Sequence, residues 1–387
     1  MPIGLADERA EPVRVAIVGT GNIARNHARA LATAGAAIAP APSGGPPATL
    51  VAAADVNDAR LTAFCEEFAV EGAYHDLDDL LRKERPDLVH VCTPPGLHHV
   101  QALACLRAGA SVLVEKPPAI SLREFDEIAA AEGEPAAAGP WFATVFQHRF
   151  GSGQQRLKAL ASAGDLGRPL LAICTTTWFR DQSYFDVPWR GRWDTEGGGP
   201  TMGHGIHQMD MLLDVLGDWT EVSAVTRTQA RRVQTEDVSL AHVTFANGAV
   251  ASVVNSVLSP REETYLRYDF ERATVEVTHL YGYTDKDWRV TPVEEDEQDV
   301  LTAWESGSGE TPGEAPSRSG HASQFIQVLD ALRAGRRPPV APAESRRTMA
   351  LIAAIYASAF TKRPVTPDDL APGTPFYDRM NGGNSQW

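Results

Sequence analysis

Up to about Phe150, short continuous apolar runs alternate with stretches whose apolar residues recur every three to four positions. A short apolar run bounded by turn formers reads as a buried strand, and the longer period reads as a helix. Val13–Val18, Leu50–Asp55, Asp87–Cys92, Ser111–Val114 and Phe142–Phe146 are therefore predicted strands. Ile23–Leu31, Ala59–Phe68, Leu77–Arg85, Leu97–Ala108 and Phe125–Ala131 are the helices predicted around them. Such alternation implies a parallel sheet with right-handed crossovers. The rhythm then changes. Leu170–Trp178, Thr220–Thr228, Val238–Phe245, Ala249–Val257, Thr264–Phe270 and Thr274–Thr278 read as strands with few helices between them, hence a mainly antiparallel sheet. Asn247-Gly248 predicts a type I′ hairpin turn. Gly197-Gly-Gly-Pro200 reads as a turn before a helix running to about Gly217, with the apolar stripe Met202, Ile206, Met209, Leu213 and Leu216. Two late helices are expected at Gln324–Ala334 and Ser345–Phe360, packing on one of the domains, with Glu305–Ser319 and the tail after Pro367 irregular.

The first strand runs into Gly19-Thr-Gly21-Asn-Ile-Ala24, the order that dinucleotide binding needs. Gly19 permits the tight turn, Gly21 lets backbone N–H groups approach a pyrophosphate, and Ala24 lets the helix pack closely on the strand. Gly19, Gly21, Asn22 and Ile23 are thus candidate cofactor-binding residues. Asp55, at the end of the second strand, is a candidate acceptor for the adenosine ribose hydroxyls. It comes later than the usual spacing because Ala36–Ala48, rich in Pro, Gly and Ala, reads as an inserted loop. A carboxylate there repels a 2′-phosphate, so NAD is favoured over NADP, with Arg60 the nearby cation that softens the argument. The expected fold is an α/β Rossmann domain over residues 1–150, with 1–12 a flexible N-terminus. An α+β domain with an open, mainly antiparallel sheet follows over residues 151–387.

At 387 residues, two domains is the natural expectation. The net charge of −15 argues against a nucleic-acid partner, and no apolar stretch reaches the length of a membrane span. No secretory signal is visible over Met1–Pro12, and Cys65, Cys92, Cys105 and Cys174 lack pair spacing. A cytoplasmic protein with reduced thiols is expected.

Further motifs follow in order: Thr93-Pro94-Pro95-Gly-Leu-His98, Glu115-Lys116-Pro117, Gly197-Gly-Gly199 and Gly205-Ile-His207-Gln-Met-Asp210. With the glycine turn, this succession resembles the Gfo/Idh/MocA oxidoreductases from about Val13 to Val365. Lys116 follows a strand, at the sheet edge where doubly wound folds bind ligands. The resemblance implies that Lys116 contacts nicotinamide and substrate, that Glu115 orients it, and that the peptide before Pro117 is cis. It likewise adds Thr93, Pro94 and His98 to the cofactor-binding set. His207 is implied as the general acid/base that takes the hydroxyl proton, a role suited to an imidazole. Many relatives carry Asp one helical turn earlier, where this chain has Gly203; His204 is the candidate to take over part of that role.

Gly203, His207, Asp210 and Asp214 fall on one face of the predicted helix. His204, His207 and Asp210 do not make a clean ligand geometry, and no metal is expected. Arg180, Tyr184, Trp189, Arg190 and Trp193 form an aromatic and arginine-rich loop suited to a sugar. The expected substrate-binding set is Lys116, Gln147, Arg149, Tyr184, Trp193, His204, His207 and Asp210; His148 lies beside it, and His321 is a candidate to reach the same cleft. The function expected is an NAD-dependent dehydrogenase for a secondary hydroxyl of a sugar, cyclitol or sugar derivative, working as a homodimer or homotetramer. Two alternatives keep the fold: a redox-neutral sugar or glycoside conversion through a transient keto-sugar with retained NAD, and a non-catalytic sugar- and NAD-sensing protein.

Overall fold

The computed structural model describes residues 11–133, 139–306 and 317–384. The expectation of a flexible N-terminus lies mostly outside these residues, as does most of the loop expected at Glu305–Ser319. In chain order the first strands and helices are β1 (Val13–Val18), α1 (Asn22–Ala37), β2 (Ala48–Ala54), α2 (Asp58–Phe68), β3 (Gly72–Tyr74), α3 (Leu77–Glu84), β4 (Leu88–Val91), α4 (His98–Arg107), β5 (Ser111–Val114), α5 (Leu122–Ala130) and β6 (Phe142–Thr144). The six strands form one sheet in the order β3-β2-β1-β4-β5-β6, parallel throughout. The order reverses beside β1, so the ends of β1 and β4 flank the switch point where such sheets bind ligands. β4 and β5 are buried along their whole length, as strands covered on both faces must be.

The later elements are α6 (Ser152–Ala163), β7 (Pro169–Phe179), α7 (Pro200–Gly203), α8 (Ile206–Leu216), β8 (Trp219–Arg227), β9 (Val238–Phe245), β10 (Val250–Ser256), β11 (Leu258–Phe270), β12 (Ala273–His279), β13 (Trp288–Pro292), α9 (Glu297–Ser306), α10 (His321–Arg333), α11 (Pro342–Thr361) and α12 (Pro375–Asp378). Seven strands make a second sheet, β13-β12-β11-β7-β10-β9-β8, antiparallel except where β10 runs parallel to β7. Its burial alternates along β9, so one face is core and the other open. Val225 lies opposite Leu240, Leu240 opposite Val254, and Val250 opposite Leu171, which puts an apolar row on the open face.

The chain divides into two compact units. One holds residues up to Ala119, Phe125–Val145 and His321–Ala343; the other holds Ile120–Glu124, Phe146–Gly320 and the chain from Glu344 onward. The return of α10 to the first unit departs from an unbroken second domain, and its cause is hydrophobic. Phe325, Val328 and Leu329 complete the core formed by Val13, Val15, Leu31 and Leu113.

Two local expectations are corrected. The helix expected after the Gly197–Pro200 turn and up to about Gly217 is broken at His204-Gly205 into α7 and α8. At the break a Cβ on Gly205 would lie 1.8 Å from Asn255 Oδ1, so the close approach of the chain to β10 there admits only glycine. Gly203 and His207 are therefore not successive turns of a single helix. The hairpin after β9 is not type I′ either. Gly248 has φ +89°, Asn247 has no positive φ, and the turn closes through Gly248 N–H to the Phe245 carbonyl at 3.0 Å.

Candidate active site

In the first unit the glycine turn has the form its residues demand. Gly19 has φ +82°, and a Cβ there would press on the Cys92 carbonyl at 2.9 Å. A Cβ at Gly21 would meet no protein atom within 4 Å, so packing within the protein gives no reason for glycine there. Gly21 caps α1, the first turn carries no acidic residue and no side chain caps it, which leaves the positive end of the helix dipole uncompensated. Asn22 and Ile23 form that first turn.

Asp55 braces the turn. Its Oδ2 accepts from Thr20 N–H at 2.8 Å and from the Thr20 hydroxyl at 2.9 Å, while Oδ1 accepts from Asn57 N–H at 2.8 Å and Arg60 at 3.0 Å. Burial pushes this carboxyl up, but those hydrogen bonds overcome it and hold the group below its ordinary value. It is an anion at neutral pH, already carrying four contacts.

At the end of β5, Glu115 is buried and its Oε2 accepts the Lys116 backbone N–H at 3.0 Å. The Lys116–Pro117 peptide is cis. His98 ties the two loops of this edge together: Nδ1 lies 2.8 Å from the Pro117 carbonyl and Nε2 2.8 Å from the Thr93 carbonyl. Burial lowers the His98 pKa while the two carbonyls raise it, the net being downward. The Thr93 hydroxyl is held by Gln101 at 2.6 Å, and Pro94 stands before the turn that leads into α4.

In the second unit His207 sits in the first turn of α8, 3 % exposed. Its ring centroid lies 4.8 Å from His148, 6.3 Å from Tyr281 and 6.4 Å from Phe146. Gln147 donates to the Tyr281 hydroxyl at 2.9 Å, and His148 Nδ1 meets the Ser319 hydroxyl at 3.1 Å. His204 packs edge-on to Trp178, centroids 5.3 Å apart, with its Nε2 3.4 Å from the Tyr184 hydroxyl. That hydroxyl also binds Arg190, whose guanidinium lies 3.9 Å from the Tyr184 ring centroid and 4.4 Å from that of Trp189. Burial raises the Tyr184 pKa against the lowering pull of Arg190. Glu196 is buried behind this group, 3.6 Å from Arg190, with Oε1 also 3.6 Å from where a Cβ on Gly203 would be. The carboxylate facing Gly203 thus comes from a residue seven positions earlier.

Gln147, Tyr184, His204 and His207 fall in or beside this imidazole-rich group. Three other expected residues are engaged elsewhere. Arg149 and Asp210 bind each other through two contacts of 2.5 and 2.6 Å, and Arg149 also reaches Asp214 at 3.0 Å and Glu344 at 2.8 Å. Burial pushes the Asp210 carboxyl up to about 6, against the lowering pull of Arg149. Trp193 donates to the Gln234 carbonyl at 2.9 Å and packs on Tyr356 and Phe360 of α11. Trp178 and Tyr281 were not anticipated. Each sits near the end of a strand-like run, and only the pairing of β7 with β11 and of β11 with β12 brings both beside the histidines.

Comparison with known proteins agrees with these features. The model of the oxidoreductase family with an NAD-binding Rossmann fold, Gfo/Idh/MocA, matches residues 13–136. That of the Gfo/Idh/MocA C-terminal domain matches residues 154–292. The chain is 28 % identical over 300 residues to D-glucoside 3-dehydrogenase of Escherichia coli, covering 71 % of this chain and 80 % of that one. It is 26 % identical to D-apiose dehydrogenase of Paraburkholderia graminis, covering 95 % and 93 %. The WlbA dehydrogenase of Bordetella pertussis, solved with NADH and UDP-GlcNAcA, superposes with a TM-score of 0.76 at 26 % identity, over 92 % of this chain and 99 % of that one. The chain belongs to the Gfo/Idh/MocA family of oxidoreductases.

Proposed function

We propose that this enzyme is an NAD-dependent dehydrogenase that oxidises a secondary hydroxyl of a sugar, cyclitol or sugar derivative to a ketone. One observation carries the reading within the family: His207 opens α8 buried among His148, Tyr281 and Phe146, an imidazole held by aromatic walls. A buried imidazole on a fixed helix end suits proton removal from a bound hydroxyl. In this reading His207 takes the hydroxyl proton, and Lys116 is the further catalytic residue, a hydrogen-bond donor toward the substrate hydroxyl. Trp178, Tyr184 and Arg190 supply aromatic faces and a guanidinium for a sugar ring.

The first unit fits a dinucleotide. Gly21 and the uncapped start of α1 suit the pyrophosphate, and the ionised Asp55 suits the ribose. Bound there, NAD supplies the acceptor for the hydride leaving the substrate carbon. The negative charge of Asp55 supports NAD over NADP, although Arg60 partly offsets it at 3.0 Å. The names of the relatives, two sugar dehydrogenases and one solved with a nucleotide sugar, support a small carbohydrate substrate. The apolar row Leu171, Val225, Leu240 and Val250 on the open sheet face supports pairing with further copies of the chain, as dimer or tetramer. Free thiols at all four cysteines support a reducing, cytoplasmic setting, and no described helix is long and apolar enough to cross a membrane.

The test is to incubate the protein with NAD, and separately NADP, and a panel of pyranoses, inositols, sugar acids and glycosides. Reduced nicotinamide and product masses are read together. NADH formation with one substrate group, and less with NADP, is expected. Altered glycoside masses without NADH would assign the redox-neutral conversion instead, and no change in either would leave a sensor.

A further inference from the structure

Behind Lys116 lies a cluster of groups that the catalytic reading leaves unused. Glu115 Oε1 faces His27 Nε2 at 2.9 Å and His321 Nε2 at 3.3 Å, while Oε2 takes the Lys116 backbone N–H at 3.0 Å. The three partners come from α1, from α10 and from the peptide of Lys116 itself. On its far side, His27 Nδ1 lies 3.0 Å from His90 Nδ1 and 3.4 Å from Cys92 Sγ.

We propose that His27 and His321 are positioning residues for Lys116, acting through the Glu115 carboxylate that they hold from two sides. The inference rests on the proposed role of Lys116 at the substrate hydroxyl. A carboxylate is costly to bury unless it is hydrogen-bonded. Burial pushes Glu115 up, yet the hydrogen bonds from His27 and His321 more than reverse this and hold it well below its ordinary value. A buried anion with fixed donors has one orientation. His27 Nε2 faces a carboxylate and so carries the proton; its Nδ1 then accepts, and His90 Nδ1 donates. Burial keeps the His27 and His90 pKa values below normal and the Cys92 thiol high, so Glu115 is the anion of this group. Phe325 closes the side, its ring 5.1 Å from His27 and 4.8 Å from His90. With one oxygen fixed by the imidazoles, the other holds the peptide from which the lysine side chain departs. The return of α10 to the first unit thereby supplies more than core: its first residue is a donor to Glu115.

Two imidazoles and a carboxylate are also a zinc ligand set, and their atoms lie within 4.8 Å of one another. The contacts to Glu115 are of hydrogen-bond length and His27 is braced by His90, so the arrangement is complete without an ion.

The charged and titratable groups around Glu115 are His27, His321, Lys116 and, farther out, His90, Cys92 and His98. The test compares His321→Phe, which keeps a ring and loses the donor, with His321→Gln, which keeps an N–H. The phenylalanine variant is expected to lose about 10- to 100-fold in kcat. It should bind NAD within about threefold of the parent. Glutamine should restore most of the lost kcat. The rate of Lys116 acetylation by acetic anhydride, measured by peptide mass spectrometry against Lys158 in the same digest, should change in the phenylalanine variant and not in the glutamine one.

A folded His321→Phe with unchanged kcat and Lys116 labelling would overturn the proposal, as would equal impairment by phenylalanine and glutamine. If the parent turns over no sugar, the proposed function fails and the labelling still decides the clamp. If His321→Phe does not fold, Glu115→Gln, of the same shape, carries the same predictions for kcat and labelling. Stoichiometric zinc whose removal alters Lys116 labelling would replace the hydrogen-bonded clamp by a metal site.

Discussion

His207 is buried at a helix start, and Lys116 leaves a peptide fixed by Glu115. If His207 is the general base, His207→Ala should lower kcat by about 10²- to 10⁴-fold. NAD binding, followed by nicotinamide fluorescence or calorimetry, should stay unchanged, because the nucleotide contacts argued above all lie in the first unit. At this scale the sequence was most readable where chemistry and backbone demand coincide. Gly19 shows its need in a positive φ, and Lys116 in its place after a strand. Arg149 and Asp210 read as polar lining but bond each other, because a partner 61 residues away cannot be seen in a linear motif. Glu196 escaped for a different reason: it is only seven positions before Gly203, but the loop that folds its carboxylate over that glycine has no periodicity to read.

The elements followed the apolar pattern closely in the first sheet, where strands buried on both faces are continuous apolar runs. The three-residue β3 and the edge strand β13 escaped it, being too short or too polar for either period. The break between α7 and α8 escaped for another reason: glycine periodicity says nothing of how near β10 passes. That break gives a paired prediction. Gly205→Ala forces a Cβ onto Asn255 and should cost about 2 kcal/mol or more in urea unfolding. Gly203→Ala meets nothing closer than 3.6 Å and should cost less than about 1 kcal/mol. Equal costs would mean that the close approach to Asn255 does not restrict position 205 to glycine.

At the scale of the molecule, the second unit is held by a buried charge network in which Arg149 serves Asp210, Asp214 and Glu344 at once. Asp210 lies at about 6, above its ordinary 3.8, so its contribution favours the fold at low pH and is lost as pH rises through about 6. Arg149 opposes that loss. Removing it in Arg149→Leu pushes the Asp210 carboxyl higher and steepens the loss. The stability gap to the parent should already be present near about pH 5, where Asp214 and Glu344 lose this partner, and be larger by about 1–3 kcal/mol near about pH 8. A gap independent of pH would assign the cost to packing and to Asp214 and Glu344 rather than to Asp210.

The central claim is hydride transfer from a carbohydrate carbon. The most direct measurement uses the substrate found by the panel, deuterated at each secondary carbinol carbon in turn, with mass analysis of the nicotinamide formed. Deuterium from one carbon should appear in the reduced nicotinamide, and that carbon should become the ketone. Deuterium retained in the sugar, or lost to water while the nicotinamide stays oxidised, would contradict the account.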